Sequence, residues 1–193
     1  MLEAATIDER DLLTAAREGD RAAFGALVKA YQRRAYAIAY GFVGNREDAL
    51  ELAQDAFARA YQAMPRFDTS MPFYPWLYRI IKNSSLNFLK KRKRRGESSL
   101  DSMMESGFDA IDAQRTPDAQ VELDDVQFAV RAALTKLSPE QREIIRLRHF
   151  LEMSYGEIAE ALAIPQGTVM SRLHGARKRL KSIIEESAPS VNV

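Results

Sequence analysis

Residues 73–95, FYPWLYRIIKNSSLNFLKKRKRR, hold the side chains with the most chemistry to offer. Phe73, Tyr74, Trp76 and Tyr78 supply flat rings, Asn83 and Asn87 supply carboxamides, and the cations Arg79, Lys82 and the run Lys90 to Arg95 follow without one acidic residue. Cations hold phosphates without reading sequence, carboxamides match base edges, and rings stack on bases that have left a duplex. The stretch thus carries three tools for gripping opened DNA. The same rings at helical spacing serve a hydrophobic core, and a basic run serves as a solvated face, so the stretch alone does not decide.

Other chemistry is closed by composition. The 193 residues include no cysteine and only His149 and His174, so a disulfide, a thiolate nucleophile and a structural zinc cluster are all excluded. No paired acidic cluster has metal-ligand spacing, no glycine loop is built to cradle phosphate, and no nucleophile lies beside a base. The expectation is a binding protein that is not an enzyme and has no cofactor or metal. At 46% hydrophobic residues the chain can form one domain or two small ones. It has no run of about 18 apolar residues and no apolar signal segment, so no membrane insertion and a cytoplasmic location are expected.

The net charge of +1 conceals a separation along the chain. Residues 76–95 carry eight Lys or Arg and no acid, and residues 161–184 carry five plus His174 and no acid. Between them, residues 96–125 carry nine Asp or Glu against Arg115. Two basic blocks parted by an acidic connector predict two nucleic-acid contacts.

The elements that must position these groups read as helices. Residues 8–40 are helical with a break at Gly19 and Asp20, and Phe24, Leu27, Val28, Tyr31 and Ala35 form one buried stripe. After Gly44, Asn45 caps a helix that turns Ala49, Ala53, Ala56, Phe57, Ala60 and Met64 inward. Its outer side carries Asp48, Glu51, Gln54 and Asp55, which suits either simple solvation or docking to a basic partner. Pro65 ends that helix. A loop through Phe67, Asp68, Thr69, Ser70, Met71 and Pro72 to Phe73 is anchored by aromatics and exposed in its middle, as a base pocket or a plain connection would be. A helix from about Trp76 then lines up Arg79, Lys82 or Asn83, Leu86 or Asn87, and Lys90, leaving Leu77, Ile80, Ile81 and Phe88 for burial.

From Gly96 to about Asp125 periodicity dissolves into a linker. The second domain is sharply punctuated: Ser138, Pro139 and Gln141 form one capping box, and Ser154 and Glu157 a second. Ala163, Ile164 and Pro165 make a short turn into a last, basic helix, which is a helix-turn-helix. On that helix Val169, Leu173, Ala176 and Leu180 face inward. Ser171, His174, Gly175 and Lys178 face out, with Thr168, Arg172, Arg177 and Arg179 on the flanks, and the outward set is what a major groove would meet. His174 is read equally well as an unremarkable exposed histidine.

The residues also resemble a family. DALELAQDAFARAY with FYPWLYRIIKNSSLNFL resembles region 2, and LSPEQREIIRLRHFLEMSYGEIAEALAIPQGTVMSRLHGARKRL resembles region 4, of bacterial sigma factors of the extracytoplasmic-function group within the sigma-70 family. The resemblance implies an all-α chain of two small helical domains: residues 1–95 as region 2, a flexible acidic linker over 96–125, region 4 over 126–186, and a disordered tail over 187–193. It implies a factor that binds core RNA polymerase and directs promoter-specific initiation. Asp48, Glu51, Gln54 and Asp55 would dock on the clamp helices of the largest subunit, with the flap as a further contact. Phe67, Asp68, Thr69, Ser70, Phe73, Trp76, Arg79, Lys82, Asn83 and Asn87 would take the melted minus-10 element. Gly167, Thr168, Met170, Ser171, Arg172, His174, Arg177 and Lys178 would read the minus-35 duplex. The linker would thread toward the RNA exit channel, and an anti-sigma factor would mask the same faces. Met170 and Gly175 stand where relatives often carry a basic residue, so the relatives' promoter preference does not carry over. The competing reading is a free-standing helix-turn-helix regulator that binds duplex operators without polymerase.

Overall fold

The computed structural model of the chain describes residues 8–95, 130 and 132–187. The expected linker over 96–125 and residues 188–193 of the expected tail lie outside the described residues, while Ser187, the first residue of that tail, ends the last helix. The chain divides into two compact units, and among the described residues each is helical with no strand.

In the first unit, α1 (Glu9–Arg17) and α2 (Arg21–Val43) are separated as the sequence predicts. Gly19 takes a φ of 100°, a region closed to most side chains, and Asp20 then caps α2 by accepting from the Ala22 and Ala23 N–H groups at 2.7 and 3.2 Å. Gly44 ends α2 in the left-handed conformation. Asn45 starts α3 (Arg46–Ala63) by accepting from Glu47 N–H and Asp48 N–H at 2.8 and 3.0 Å. A single 3-10 turn, Met64–Arg66, absorbs Pro65.

The helix α4 spans Phe73–Arg94 and begins three residues before Trp76, earlier than expected. Pro75 is no obstacle there: in a first turn its missing N–H has no intrahelical acceptor to lose, and its fixed φ already suits a helix. The α2 helix packs on α1, α3 and α4. Small side chains let α2 and α3 approach closely: Ala35, Ala39, Ala49, Ala56 and Ala60 are fully buried. Leu27 and Ile38 of α2 and Leu77 and Ile81 of α4 are fully buried in the unit where these two helices pack. Three expected core members are only half-buried, namely Val28, Ile80 and Phe88. On α4 the buried stripe instead continues through Ser85 and Leu89, which extend the i, i+4 row begun by Leu77 and Ile81.

In the second unit, residues 132–135 are helical and precede α5 (Pro139–Ile145). Ser138 and Gln141 form the predicted reciprocal cap, as do Ser154 and Glu157 at the start of α6 (Tyr155–Leu162). Arg142 of α5 donates to the carbonyls of Leu134 and Leu137 at 3.0 and 3.2 Å, which closes the preceding turn. After α5 the backbone widens into a π turn, Arg146–Phe150, a feature the sequence reading did not foresee. Ala163 takes the left-handed conformation, with φ 53°, and Pro165 accepts from Thr168 N–H and Val169 N–H at 2.9 and 3.1 Å to begin α7 (Gln166–Ser187). Val169, Leu173, Ala176 and Ile183 of α7 are buried, while Leu180 is half-buried. Through them α7 packs on α5 and α6, which leaves its other side in solvent.

Candidate nucleic-acid interfaces and docking face

On α3, burial of the alanine side fixes what the opposite side presents. Glu51, Gln54 and Asp55 are exposed, beside the exposed Leu50. Asp48 differs: it is half-buried, and Arg92 Nη1 donates to its Oδ2 at 2.8 Å from the end of α4. This corrects the expectation that Asp48, like Asp55, is exposed on the outer side. Asp55 accepts from Arg59 Nε at 2.8 Å on the open surface, where such a pair contributes little. Between α3 and α4 runs a groove of about 490 Å³ lined by Asn45, Asp48, Glu51, Phe88, Lys91, Arg92 and Arg95. It presents both signs of charge.

The loop before α4 is held from both ends. Phe67 and Phe73 are buried, with ring centroids 6.2 Å apart, and Trp76 packs on both at 4.5 and 5.6 Å. Between these anchors Asp68 and Ser70 are exposed and Thr69 is half-buried. Asp68 Oδ1 accepts from Ser70 N–H at 3.0 Å and from Ser70 Oγ–H at 2.7 Å, and Asp68 O accepts from Met71 N–H at 3.0 Å. The two bonds from Ser70 hold the Asp68 carboxyl below the usual carboxylate range, with a lesser contribution from the Arg17 charge.

The aromatic set divides accordingly. Phe67, Phe73, Tyr74 and Tyr78 are core, so the expectation that Phe67 and Phe73 meet DNA is corrected: their rings are enclosed and act as loop anchors. Tyr74 stacks on Tyr31, whose hydroxyl donates to Glu9, and Arg34 lies 5.0 Å over the Tyr74 ring. Trp76 alone of the expected ring contacts keeps a solvent edge. Beyond it, Asn83, Leu86, Asn87 and Lys90 form an exposed row on α4, with Arg79 and Lys82 half-buried at its start. The carboxamides and cations are therefore presented together, on the side away from Leu77, Ile81, Ser85 and Leu89.

On α7 the outward set is as expected. Gly167, Met170, Ser171, Arg172, His174, Gly175, Arg177 and Lys178 are exposed and Thr168 is half-buried. Ser171 Oγ–H donates to Thr168 O at 3.1 Å, so its donor is engaged within the helix while its lone pairs face out. Met170, 51% exposed, is an apolar side chain on an otherwise polar arc. Two residues of consequence were missed. In the sequence Arg92 is one cation of a basic run and His149 one of two histidines, yet they contact Asp48 and Arg177. Nothing local in the sequence marks either contact, since the partners are 44 and 28 positions apart.

Two helical units, one with an amide and cation row behind an anchored loop and one with a basic helix-turn-helix, define a transcription-type DNA-binding protein. Residues 27–95 match the family Sigma-70 region 2, and residues 127–180 match Sigma-70, region 4. The chain is 32% identical to RNA polymerase sigma-H factor of Pseudomonas aeruginosa, over 92% of this chain and 94% of that protein. It is also 32% identical to ECF RNA polymerase sigma factor SigW of Bacillus subtilis, over 88% and 93%. A solved structure of CnrH in complex with the cytosolic domain of CnrY is similar at a TM-score of 0.66 and 26% identity, covering 93% of this chain and 99% of that one. The chain belongs to the sigma-70 family, in its extracytoplasmic-function group. Among the described residues no helix is long and apolar enough to cross a membrane, and no group of His, Asp or Glu is placed to hold a metal ion.

Proposed function

We propose that this sigma factor gives core RNA polymerase its promoter address by dividing the task between the two units. The outer side of α3, with Glu51, Gln54 and Asp55, docks on the polymerase clamp helices, and Asp48 shapes that face through Arg92. The loop at Asp68, Thr69 and Ser70, with the Trp76 edge, receives a base extruded from the melting minus-10 element, and Asn83 and Asn87 meet its neighbours. Extrusion costs a few kcal/mol, and a stacking contact worth about 1–3 kcal/mol offsets it when the receiving pocket is already formed. The anchoring of the loop by Phe67, Phe73 and Trp76 supplies that prior order. The outward arc of α7 enters the major groove of the minus-35 duplex. A partner of anti-sigma type, covering the α3 face and the DNA faces, keeps the factor silent.

The observation that carries this reading is the fixed loop followed directly by an exposed amide and cation row, a surface for single-stranded DNA that a duplex-only regulator has no use for. The test is run-off transcription with purified core polymerase on a library of promoter sequences. Defined start sites that depend on this chain support the reading; transcripts unchanged by its addition refute it. A gel shift without polymerase separates the alternative, since specific, tight binding of the free chain to duplex DNA would favour an operator-binding regulator.

A further inference from the structure

Three cations of α7 are held in different ways. Arg179 lies 3.6 Å from Glu186, and Lys181 lies 3.6 Å from Glu185, so each has a carboxylate that offsets part of its charge. Arg177 is held instead by a neutral group: its Nε donates to His149 Nε2 at 3.3 Å, and its Nη2 lies 3.2 Å from the same atom. A guanidinium has donors and no acceptor, so Nε2 must present its lone pair and the ring must be uncharged, with its proton on Nδ1. Two donors on one acceptor fix the plane of the guanidinium. The remaining N–H groups point elsewhere and the full positive charge is kept.

His149 makes this contact from within the π turn. Leu151 N–H reaches back to Arg146 O at 3.0 Å, and the widened turn carries His149 to α7. Arg177 is on the flank of the outward arc, eleven residues after Gln166, the first residue of α7. That is about 16 Å along the helix axis. The base-reading residues of such a helix cluster at its N-terminal end, so a cation this far along meets the DNA backbone.

We propose that His149 is a positioning residue that holds Arg177 as a clamp for one backbone phosphate beside the minus-35 element. The proposal rests on the reading of α7 as the helix that enters the major groove. A long side chain ordered before binding loses less freedom on meeting a phosphate, and a neutral partner orders it without competing for its charge. A carboxylate in the place of His149 would do the first and not the second.

The arrangement has a pH signature. The charged groups acting on the His149 ring are Arg177 from α7 and Arg148 from its own turn, both cations; Arg148 is itself fixed by donating to Met153 O at 2.9 Å and by the Tyr155 ring. Partial burial, then Arg177, then Arg148 hold the ring's pKa below its ordinary value. The neutral, accepting form therefore prevails above the ordinary histidine range and is lost as pH falls through the lowered value, whereupon the clamp opens. An imidazolium acting simply as one more cation on DNA would have the opposite sign and tighten binding.

The experiment measures holoenzyme affinity for duplex promoter fragments chosen from the run-off library, against pH and salt. His149→Ala is expected to weaken binding about three- to tenfold, equally across promoter sequences, and to lower the salt slope by about 1, with an unchanged unfolding midpoint. His149→Gln, which keeps an acceptor and cannot titrate, should restore most of the affinity. As pH falls from about 7.5 to well below the ordinary histidine value of about 6.5, the wild type should weaken while His149→Gln stays flat, and a wild type that stays flat as well would overturn the proposal. Wild-type affinity for His149→Ala, tighter wild-type binding at low pH, or no rescue by Gln would each overturn the proposal. Arg177→Ala distinguishes the levels: if it and His149→Ala both bind normally while Arg172→Ala does not, only the clamp is lost. If no α7 variant affects binding, the major-groove reading falls and the clamp with it.

Discussion

Arg92 and Asp48 form a 2.8 Å ion pair that ties the last turn of α4 to the first turn of α3, with both side chains about three-quarters buried. It joins the basic run to the acidic face, so a charge change at either residue acts on the fold as well as on any partner. Asp48→Lys places like charges together. It should cost the first unit about 1 kcal/mol and also weaken core polymerase binding. The exchanged pair, Asp48→Arg with Arg92→Asp, separates the two effects: urea unfolding should return close to wild type while co-purification with core polymerase stays impaired. Full recovery of both would reduce Asp48 to a structural role.

Glu51 and Asp55 give a cleaner probe of docking because both are exposed and neither supports the core. Glu51→Lys with Asp55→Lys should leave the unfolding midpoint within error and remove the chain from purified polymerase. Retained co-purification would move the docking face elsewhere.

Phe73 is fully buried and Trp76 covers it, so truncating them should have graded effects. Phe73→Ala should cost about 3–5 kcal/mol and unfold much of the first unit. Trp76→Ala, which removes a half-buried ring, should cost about 2–3 kcal/mol and leave a folded protein with slower promoter opening. Normal opening by a stable Trp76→Ala variant would remove the ring edge from the minus-10 contact.

Asp68 orders the loop through two acceptor contacts to Ser70. Asp68→Ala should slow the appearance of permanganate-reactive thymines at the promoter, and Asp68→Asn, which keeps one acceptor oxygen, should preserve most of the rate. Because the folded carboxyl titrates below its ordinary value of 3.8, its contribution is in place above that value and is lost only as pH falls through the lowered one. Opening rates should therefore show no pH dependence from this group around neutrality. A fast Asp68→Ala variant would show that the loop needs no internal order.

The legible parts of this chain were those governed by local rules. Asn45, Ser138 and Ser154 cap helices because a side-chain oxygen next to a free N–H is favourable wherever it occurs, and the apolar rows of α2, α3 and α7 follow from helical spacing. The candidate faces follow as the complement of those rows, which is why the exposed arc of α7 is legible in the sequence nearly to the residue. What escaped was set by packing between distant segments. Phe67 and Phe73 carry the same side chain whether enclosed or offered to DNA, and only the fold encloses them. The Asp48 pair and the His149 contact need the same knowledge, and the π turn that brings His149 into place leaves no recognisable spacing.

The α4 helix keeps its structural obligations on Leu77, Ile81, Ser85 and Leu89 and shows Asn83, Asn87 and Lys90 to solvent. Substitutions on the outer row are thus nearly free of folding consequences, so if the proposed minus-10 contact holds, a lineage could retune which promoters it fires by drift through viable intermediates. The same separation makes the row a natural starting point for building orthogonal gene switches on an unaltered scaffold.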